Sequence, residues 1–304
     1  MSRLRDLRLA PLELRLQTEG PFRAPEYMGA LFRGGFGQIF RDLVCTTGMP
    51  VCKGCPHLLD CPYSVVFETP VLSDRFPVLR KYPNAPHPFV MTPPPGAGLE
   101  MRVGLTLVGL GIEYLPQFLG VFEAMGRSGR YGGRFRVRSA VSSNGDVVYD
   151  GLTRRLMGRP AEWVVGEANG PVRRIRVNFV TPLRMRTEGR YNTKPNFVAV
   201  TQALLRRLHL LLAIYGDGDA DTGWMKGLLA SADRAVMEGS EWRMYEWSRM
   251  SGRQGRRVEM DGVLGWVEAS GDLTDLAQAF RVGEWVHVGN GTSMGLGKYT
   301  MEVG

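Results

Sequence analysis

Residues 172–180 read VRRIRVNFV, and this stretch decides the fold predicted for the second half of the chain. Apolar and polar side chains alternate along it, a period of two that is typical of a strand with one buried face and one polar face. The apolar set is Ile175, Val177 and Phe179, and the polar set is Arg174, Arg176 and Asn178. We therefore expect a β-strand whose outer face is basic.

The segments after this strand follow an order known from many small domains. Their apolar spacing predicts helices and strands in turn, and the dipeptide Asp261-Gly262 predicts a tight hairpin turn. The predicted elements are a helix after Pro195, a helix at 223–238, strands near 241–249 and 256–268, a short helix at 274–282 and two last strands that include WVHVG. Apart from the extra helix, the order β-α-β-β-α-β predicts a ferredoxin-like domain.

The first half permits a degenerate version of the same order. Its predicted elements are a strand around 12–16, a helix beginning at Pro25, a strand at 101–107, a helix at 113–125, and an arginine-bearing strand at 134–138 followed by a turn at Asn144-Gly145. The fold class expected is therefore α+β: two tandem ferredoxin-like (RRM-like) domains, with antiparallel sheets and helices on one face. We place them at 1–160, with a Cys-rich insertion at 45–61, and at 161–304.

Charge is distributed unevenly along the 304 residues. The whole chain carries a formal net charge of +8, and residues 121–190 alone hold fourteen Arg, no Lys and six acidic residues. Such a segment favours a polyanionic partner, although a solvated basic surface has the same composition. Neither a signal-peptide core nor an apolar run of membrane-spanning length is expected, so we predict a cytoplasmic protein without membrane contact.

The helix predicted from Pro25 contains an unusual set of glycines. Gly34, Gly35 and Gly37 interrupt its apolar stripe. Because glycine in mid-helix is destabilising, these positions indicate close approach of another backbone or a ligand.

The C-terminal stretch HVGNGTSMGLGKY, residues 287–299, predicts a glycine-rich loop. Amide groups left bare by glycine can wrap a phosphate. The spacing differs from that of a nucleotide-binding P-loop, because no Gly-Lys-Ser/Thr follows the required gap. Candidate RNA-binding residues here are Gly289, Gly291, Thr292, Ser293, Gly295, Gly297 and Lys298.

Five stretches of the chain resemble one family, the CRISPR-associated RAMP endoribonucleases that process precursor CRISPR RNA. They are YMGALFRGGFGQ (27–38) with CPYSVVFETP (61–70), VNFVTPLRMRTEG (177–189), WSRMSGRQGRRVEMDGVLGWVEASGDL (247–273), and GEWVHVGNGTSMGLGKYTMEV (283–303). The resemblance spans nearly the whole chain in the expected order. It implies tandem ferredoxin-like domains and RNA bound along a basic surface that includes the glycine-rich loop.

The resemblance also implies a reaction. A 2′-hydroxyl attacks the adjacent phosphate on the 3′ side of a repeat stem without metal, giving 2′,3′-cyclic phosphate and 5′-hydroxyl ends. The chemistry needs a proton acceptor, a proton donor and a cation. Many relatives carry a His on or near the first helix, and the helix sequence here has none, so Tyr27 and Arg33 are the polar candidates there. His287 is the leading proton-transfer candidate, although a packing role is open to it; His57 and His87 lie in loops, and His209 is expected in the core.

Two further sets of residues carry predictions. Strand and hairpin residues expected to contact RNA are Arg174, Arg176, Arg249, Arg253, Gln254 and Arg256. The cysteines Cys45, Cys52, Cys55 and Cys61 can close a structural zinc site, although an iron–sulfur cluster or free thiols fit the spacing as well.

The sequence thus predicts a metal-independent endoribonuclease that reads the stem-loop of a CRISPR repeat and matures guide RNA, with other subunits of the CRISPR effector complex as possible partners. A non-catalytic RNA-binding subunit of that complex is the first alternative. A zinc-stabilised nucleic-acid-binding protein unrelated to CRISPR is the second.

Overall fold

A computed structural model describes residues 2–70, 76–81, 85–166, 170–216, 222–251 and 255–304. The chain divides into two compact units. The N-terminal domain comprises Arg8–Trp163, and the C-terminal domain comprises Val164–Gly304 together with the segment up to Leu7. The division falls three residues beyond the predicted one at 160, and the first residues of the chain belong to the second domain rather than to the first.

The N-terminal domain is a six-stranded antiparallel sheet with two helices. Its elements are β1 (Leu9–Thr18), α1 (Met28–Val44), β2 (Phe89–Thr92), β3 (Glu100–Val108), α2 (Leu115–Ser128), β4 (Phe135–Ser142), β5 (Val147–Asp150) and β6 (Arg155–Leu156). The strand order is β2-β3-β1-β4-β5-β6. The first four strands and both helices form the ferredoxin-like arrangement, and β5 and β6 extend one edge.

An aromatic core joins the helices of this domain to the sheet. Phe36 of α1 and Phe118 of α2 stack with ring centroids 4.8 Å apart, and both side chains are fully buried. On β1, Leu12, Leu14 and Leu16 face this core, as the alternation predicts. Burial of so many aromatic rings supplies much of the domain's stabilisation.

The C-terminal domain repeats the arrangement with two added hairpins. Its elements are β7 (Arg174–Leu183), β8 (Arg186–Thr187), β9 (Arg190–Tyr191), α3 (Phe197–Tyr215), α4 (Gly223–Arg234), β10 (Val236–Tyr245), β11 (Ser248–Ser251), β12 (Arg256–Glu259), β13 (Gly262–Ser270), α5 (Thr274–Val286) and β14 (Tyr299–Val303). The main sheet has the order β10-β13-β7-β14, while β8 pairs with β9 and β11 with β12.

Helix α3 is the central helix of this domain. Asn196 caps its N-terminus by accepting a hydrogen bond from the Ala199 amide at 2.9 Å. By length and composition α3 could cross a membrane, but 61% of its most apolar window is buried inside the domain. The 3-10 turn at Ser2–Asp6 packs against it. The burial is that of a core helix.

Two elements differ from the prediction. The sequence predicts no strand between the first helix and 101–107, but the segment 77–98, which is rich in Pro and Gly, contains strand β2, whose pairing with β3 runs from Phe89↔Leu107 to Thr92↔Gly104. The predicted strand WVHVG is instead the last turn of α5 and the start of the loop, so a single strand, β14, ends the domain. Val286 and Val288 are both fully buried, so their alternation with His287 reflects core packing at a helix end.

Candidate functional site

Arg33 on α1 lies over an aromatic ring. Its guanidinium carbon is 3.7 Å from the centroid of Phe67, a distance at which a cation and a ring attract. Gly37 is one helical turn further on the same face, and a Cβ atom there would overlap the Phe67 ring. The missing side chain of Gly37 therefore lets Phe67 pack under Arg33. The close approach that the helix glycines predict is found at Gly35 and Gly37, where the neighbours are side chains and not a backbone, whereas Gly34 faces open space among the described residues.

His87 joins Arg33 from the loop before β2. Its Nε2 atom is 3.0 Å from Nη2 of Arg33, and its Nδ1 atom is 3.4 Å from Oγ1 of Thr69. The ring stacks on Phe67 and Phe89, with centroid distances of 5.9 and 5.4 Å. The structure thus provides the histidine beside the first helix that the helix sequence itself lacks. We call Arg33, His87 and Thr69 the Arg–His cluster.

Tyr27, the other candidate on this helix, is placed differently from the prediction. It occupies the N-cap position of α1, and its side chain is only 7% exposed. A phenol in the core cannot meet RNA without a rearrangement of the helix end. The predicted role of Tyr27 in proton transfer stays a prediction, and in the described structure its ring is buried at the start of α1.

The glycine-rich loop connects α5 to β14, and its fold demands its glycines. Gly289, Gly291, Gly295 and Gly297 all have positive φ, between 70° and 88°, a region that other residues rarely enter. A Cβ atom on Gly297 would also overlap the carbonyl of Val288. The four glycines are therefore explained by backbone conformation before any ligand is considered.

Many amides of this loop are already engaged inside the domain. The amides of Asn290, Gly297 and Lys298 donate to Arg184, Pro182 and the Thr181 hydroxyl at 2.7, 2.9 and 2.8 Å, respectively. The amides of residues 294–296 donate within the loop. Residues 291–293, with Thr292 buried and Ser293 half-buried, are therefore the part of the loop best placed to hold a phosphate, a smaller cradle than the sequence predicts.

His287 follows directly after α5 and is buried. The residue has a φ of 61°, its side chain is 1% exposed, and its ring hydrogen-bonds the Leu296 carbonyl. Burial, and then the positive charges of Lys298 and Arg207, hold the pKa of His287 well below its ordinary value. A neutral, buried imidazole that ties the two ends of the loop together is a positioning residue. The predicted role of His287 in proton transfer or RNA contact stays a prediction, and its burial favours the packing role that the sequence left open.

The arginines on the sheet faces are accompanied by carboxylates. In the C-terminal domain, Arg174 and Arg176 lie 3.3 and 3.1 Å from the two carboxylate oxygens of Glu268, and Arg176 stacks on Trp266 at 3.7 Å. In the N-terminal domain, Arg15 and Arg136 pair with Glu13 and Glu19. These strands therefore offer less net positive charge than their arginine count indicates.

Two hairpins of the C-terminal domain extend basic residues from its main sheet. Arg249 lies on β11 and Arg256 on β12, where the register pairs Arg249 with Val258 and Ser251 with Arg256. Arg256 is exposed. Arg253 and Gln254, predicted for the tip of the same hairpin, lie outside the described residues.

The second basic hairpin, β8–β9, was missed by sequence reasoning. The guanidinium groups of Arg184 and Arg186 lie over the Tyr191 ring at 4.1 and 4.5 Å. With Gln202 and Arg206 of α3 the hairpin bounds an open groove of about 410 Å³, and the Arg184 carbonyl accepts the Asn290 amide of the glycine-rich loop. The only signal in the sequence is the spacing of arginines around a tyrosine in a segment with high positive charge.

The four cysteines line one small cavity of the N-terminal domain, together with His57. The Thr47 hydroxyl is 3.9 Å from the sulfur of Cys45 and 3.6 Å from that of Cys55. Among the described residues, however, no three His, Cys, Asp or Glu side chains are placed to share a metal ion. The cavity brings the predicted ligands into one neighbourhood, and the zinc site stays a prediction.

Comparisons with known proteins cover both domains. Residues 7–160 match the family profile AF_1859_N, described as an N-terminal domain, and residues 177–299 match the profile described as CRISPR-associated endoribonuclease Cas6. An uncharacterised protein of Archaeoglobus fulgidus is 26% identical over 302 residues, covering 96% of each chain.

Solved structures resemble the whole chain in fold. A product complex of Cas6 (TTHB231), a Thermus thermophilus protein, has a TM-score of 0.61 and 15% identity, covering 97% of this chain and 99% of that one. A product complex of Cas6 (TTHA0078) has a TM-score of 0.55 and 20% identity over the same shares. The predicted fold class, two tandem ferredoxin-like domains, is confirmed.

The N-terminal half of the chain belongs to the AF_1859_N domain family, and residues 177–299 carry the match to the CRISPR-associated endoribonuclease Cas6. Together with the fold, these matches support a CRISPR-associated RAMP-like endoribonuclease.

Proposed function

We propose that this protein cleaves precursor CRISPR RNA within its repeats to give mature guide RNA, by attack of a 2′-hydroxyl on the adjacent phosphate and without a metal ion. The products are then a 2′,3′-cyclic phosphate and a 5′-hydroxyl end. The observation that carries the proposal is the Cas6 match over residues 177–299, because that span includes the glycine-rich loop and both basic hairpins.

The described side chains are of the kinds that such a reaction uses. Transfer of an RNA phosphoryl group to the neighbouring 2′-oxygen needs a proton acceptor and a fixed cation near the phosphate. Arg33 and His87 supply both groups within 3.0 Å of each other. No step in this scheme requires a Lewis acid.

RNA contact is proposed for the C-terminal domain. Arginines suit phosphate because a guanidinium can donate two parallel hydrogen bonds. The candidate contacts lie on the β11–β12 hairpin, the β8–β9 hairpin and residues 291–293. Arg174 and Arg176 add two more candidates, although both already pair with the carboxylate of Glu268. We further propose a cytoplasmic protein whose partners are the repeat stem-loop and other CRISPR effector subunits.

Single-turnover cleavage of the cognate repeat RNA in excess EDTA tests this proposal. We expect cleavage at one position, product ends that resist ligation until the cyclic phosphate is opened, and loss of cleavage when the scissile nucleotide is 2′-deoxy. Tight binding without cleavage would instead support the non-catalytic RNA-binding subunit. Cleavage that disappears in EDTA and returns with a divalent cation would overturn the metal-free reaction.

A further inference from the structure

We infer that His87 is the proton acceptor of the reaction and that Arg33 is the cation beside the scissile phosphate. This inference rests on the proposed function and assigns its reacting groups. The two residues are far apart in sequence and meet because Gly37 admits the Phe67 ring beneath Arg33, while His87 stacks on that same ring.

The hydrogen bonds around His87 fix its tautomer. The Thr69 hydroxyl donates to the Ala85 carbonyl at 2.9 Å, so its lone pairs are turned to Nδ1 of His87, which must carry the hydrogen. Arginine has no acceptor, so Nε2 of His87 receives the hydrogen bond from Arg33. In this tautomer the one basic lone pair of the ring, on Nε2, lies next to a guanidinium.

Arg33 suits a phosphate at this place. A guanidinium has five N–H donors in one plane, and the Phe67 ring covers one of its faces. A phosphate oxygen that binds the edge of Arg33 would come within reach of the same donor that contacts Nε2. If this Arg33 N–H turned its hydrogen bond from Nε2 of His87 to the phosphate, the Nε2 lone pair would be free to accept the proton of the neighbouring 2′-hydroxyl.

The backbone of Thr69 is consistent with a constrained site. This residue has a φ of 46°, a backbone conformation that a β-branched side chain seldom adopts. Its amide donates to the Ser64 carbonyl at 2.8 Å, and its side chain is buried. Thr69 thus holds the Nδ1 side of the ring as a positioning residue.

The reaction balances as follows. The 2′-oxygen forms a bond to phosphorus as its proton passes to Nε2 of His87. The bond from phosphorus to the 5′-oxygen breaks, and that oxygen takes a proton from water. The imidazolium then returns its proton to solvent, and no oxidant or reductant is involved.

The test is single-turnover cleavage of the repeat RNA in EDTA by His87→Gln, with His57→Gln as the matched control. His57 is an exposed histidine of the same domain, near Asp60. We expect His87→Gln to cleave about 10²- to 10⁴-fold more slowly with RNA affinity unchanged, and His57→Gln to match the wild type. Added imidazole should restore cleavage to His87→Ala and not to Arg33→Ala.

Several outcomes would overturn the assignment. Cleavage by folded His87→Gln at the wild-type rate would remove His87 from the chemistry, and so would a fall in affinity as large as the fall in rate with no rescue by imidazole. Thermal unfolding of each variant shows whether it is folded; if His87→Ala is not, His87→Gln alone decides. A wild-type protein that binds without cleaving would overturn the proposed function itself, a different result.

Discussion

Each domain holds one histidine close to arginine or lysine side chains, and the two are held in opposite ways. His87 is half-buried, with a hydrogen bond on each ring nitrogen. His287 is 1% exposed, and its pKa lies well below its ordinary value because of burial and nearby positive charge. The difference teaches that closeness to a glycine-rich loop is a weaker guide to a catalytic residue than solvent access and fixed polar partners. His287 is buried in the core, while His87 has the access and the partners that its proposed role needs.

The largest stability effect is expected at His287. His287→Ala removes a fully buried ring and its hydrogen bond to Leu296, so we expect a loss of about 2–4 kcal/mol in the free energy of unfolding. His87→Ala, at a half-buried site, should cost clearly less. Urea titration of both variants measures this, and equal losses would contradict the contrast.

The dependence of stability on pH should report on the same histidine. The unfolded chain protonates His287 near its ordinary pKa of about 6.5, whereas the folded protein does not at that pH. Stability contributed by neutral His287 is thus present above about pH 6.5 and lost as pH falls below it, by up to about 1.4 kcal/mol per pH unit. His287→Gln should show a shallower loss between pH 6.5 and 5 than the wild type does.

The effect of zinc on stability is the next in expected size. If the cysteine cavity binds zinc, we expect one zinc per chain by elemental analysis and a gain of about 2.7 kcal/mol at a hundredfold excess over Kd. Cys52→Ser with Cys55→Ser should remove both, while Val51→Ser, in the same segment, should remove neither. If the protein contains no zinc and its melting temperature does not change when zinc is added, the cysteines are free thiols.

Two glycines of α1 provide a matched pair of variants with opposite expected effects on stability. Gly37→Ala would force the Phe67 ring away from Arg33, at a cost of about 1–3 kcal/mol, and should slow cleavage through the Arg–His cluster. Gly34 has open space around it, so Gly34→Ala should stabilise the helix by about 0.5–1 kcal/mol without changing the rate. Calorimetry and single-turnover kinetics check both halves of this prediction.

The smallest effects are expected for single arginines that contact RNA. Arg257 donates to the neutral hydroxyl of Ser248, whereas Arg174 already faces Glu268. We expect Arg257→Ala to weaken RNA binding several-fold and to reduce the slope of log affinity against log salt by roughly one, and Arg174→Ala to do less. The reverse ranking would locate RNA on the open sheet face.

Much of the fold was predictable because its strands and helices carry strong periodic patterns. The alternation in 172–180 and the stripe after Pro195 correspond to β7 and α3, where local preference and core packing agree. Strand β2 was missed because Pro and Gly surround only four paired residues. WVHVG was assigned to a strand because a helix end and a strand can both bury Val286 and Val288.

The candidate site was predictable only in part. Arg33 was found because it is a polar residue of the first helix, the region where the family resemblance implies a histidine. His87 carried no local signal, since its partners Arg33 and Thr69 are 54 and 18 residues away and only the folded loop brings them together. The burial of His287 could not be predicted either, because its nearness in sequence to the glycine-rich loop says nothing about burial.

One assay tests the contrast between the two histidines most directly: single-turnover cleavage of the cognate repeat RNA in EDTA by the wild type, His87→Gln and His287→Gln, each normalised to folded protein. The account predicts that the wild type cleaves, that His287→Gln stays within about tenfold of it, and that His87→Gln falls by about 10²-fold or more. Near-normal cleavage by His87→Gln, together with loss of cleavage in folded His287→Gln, would contradict it.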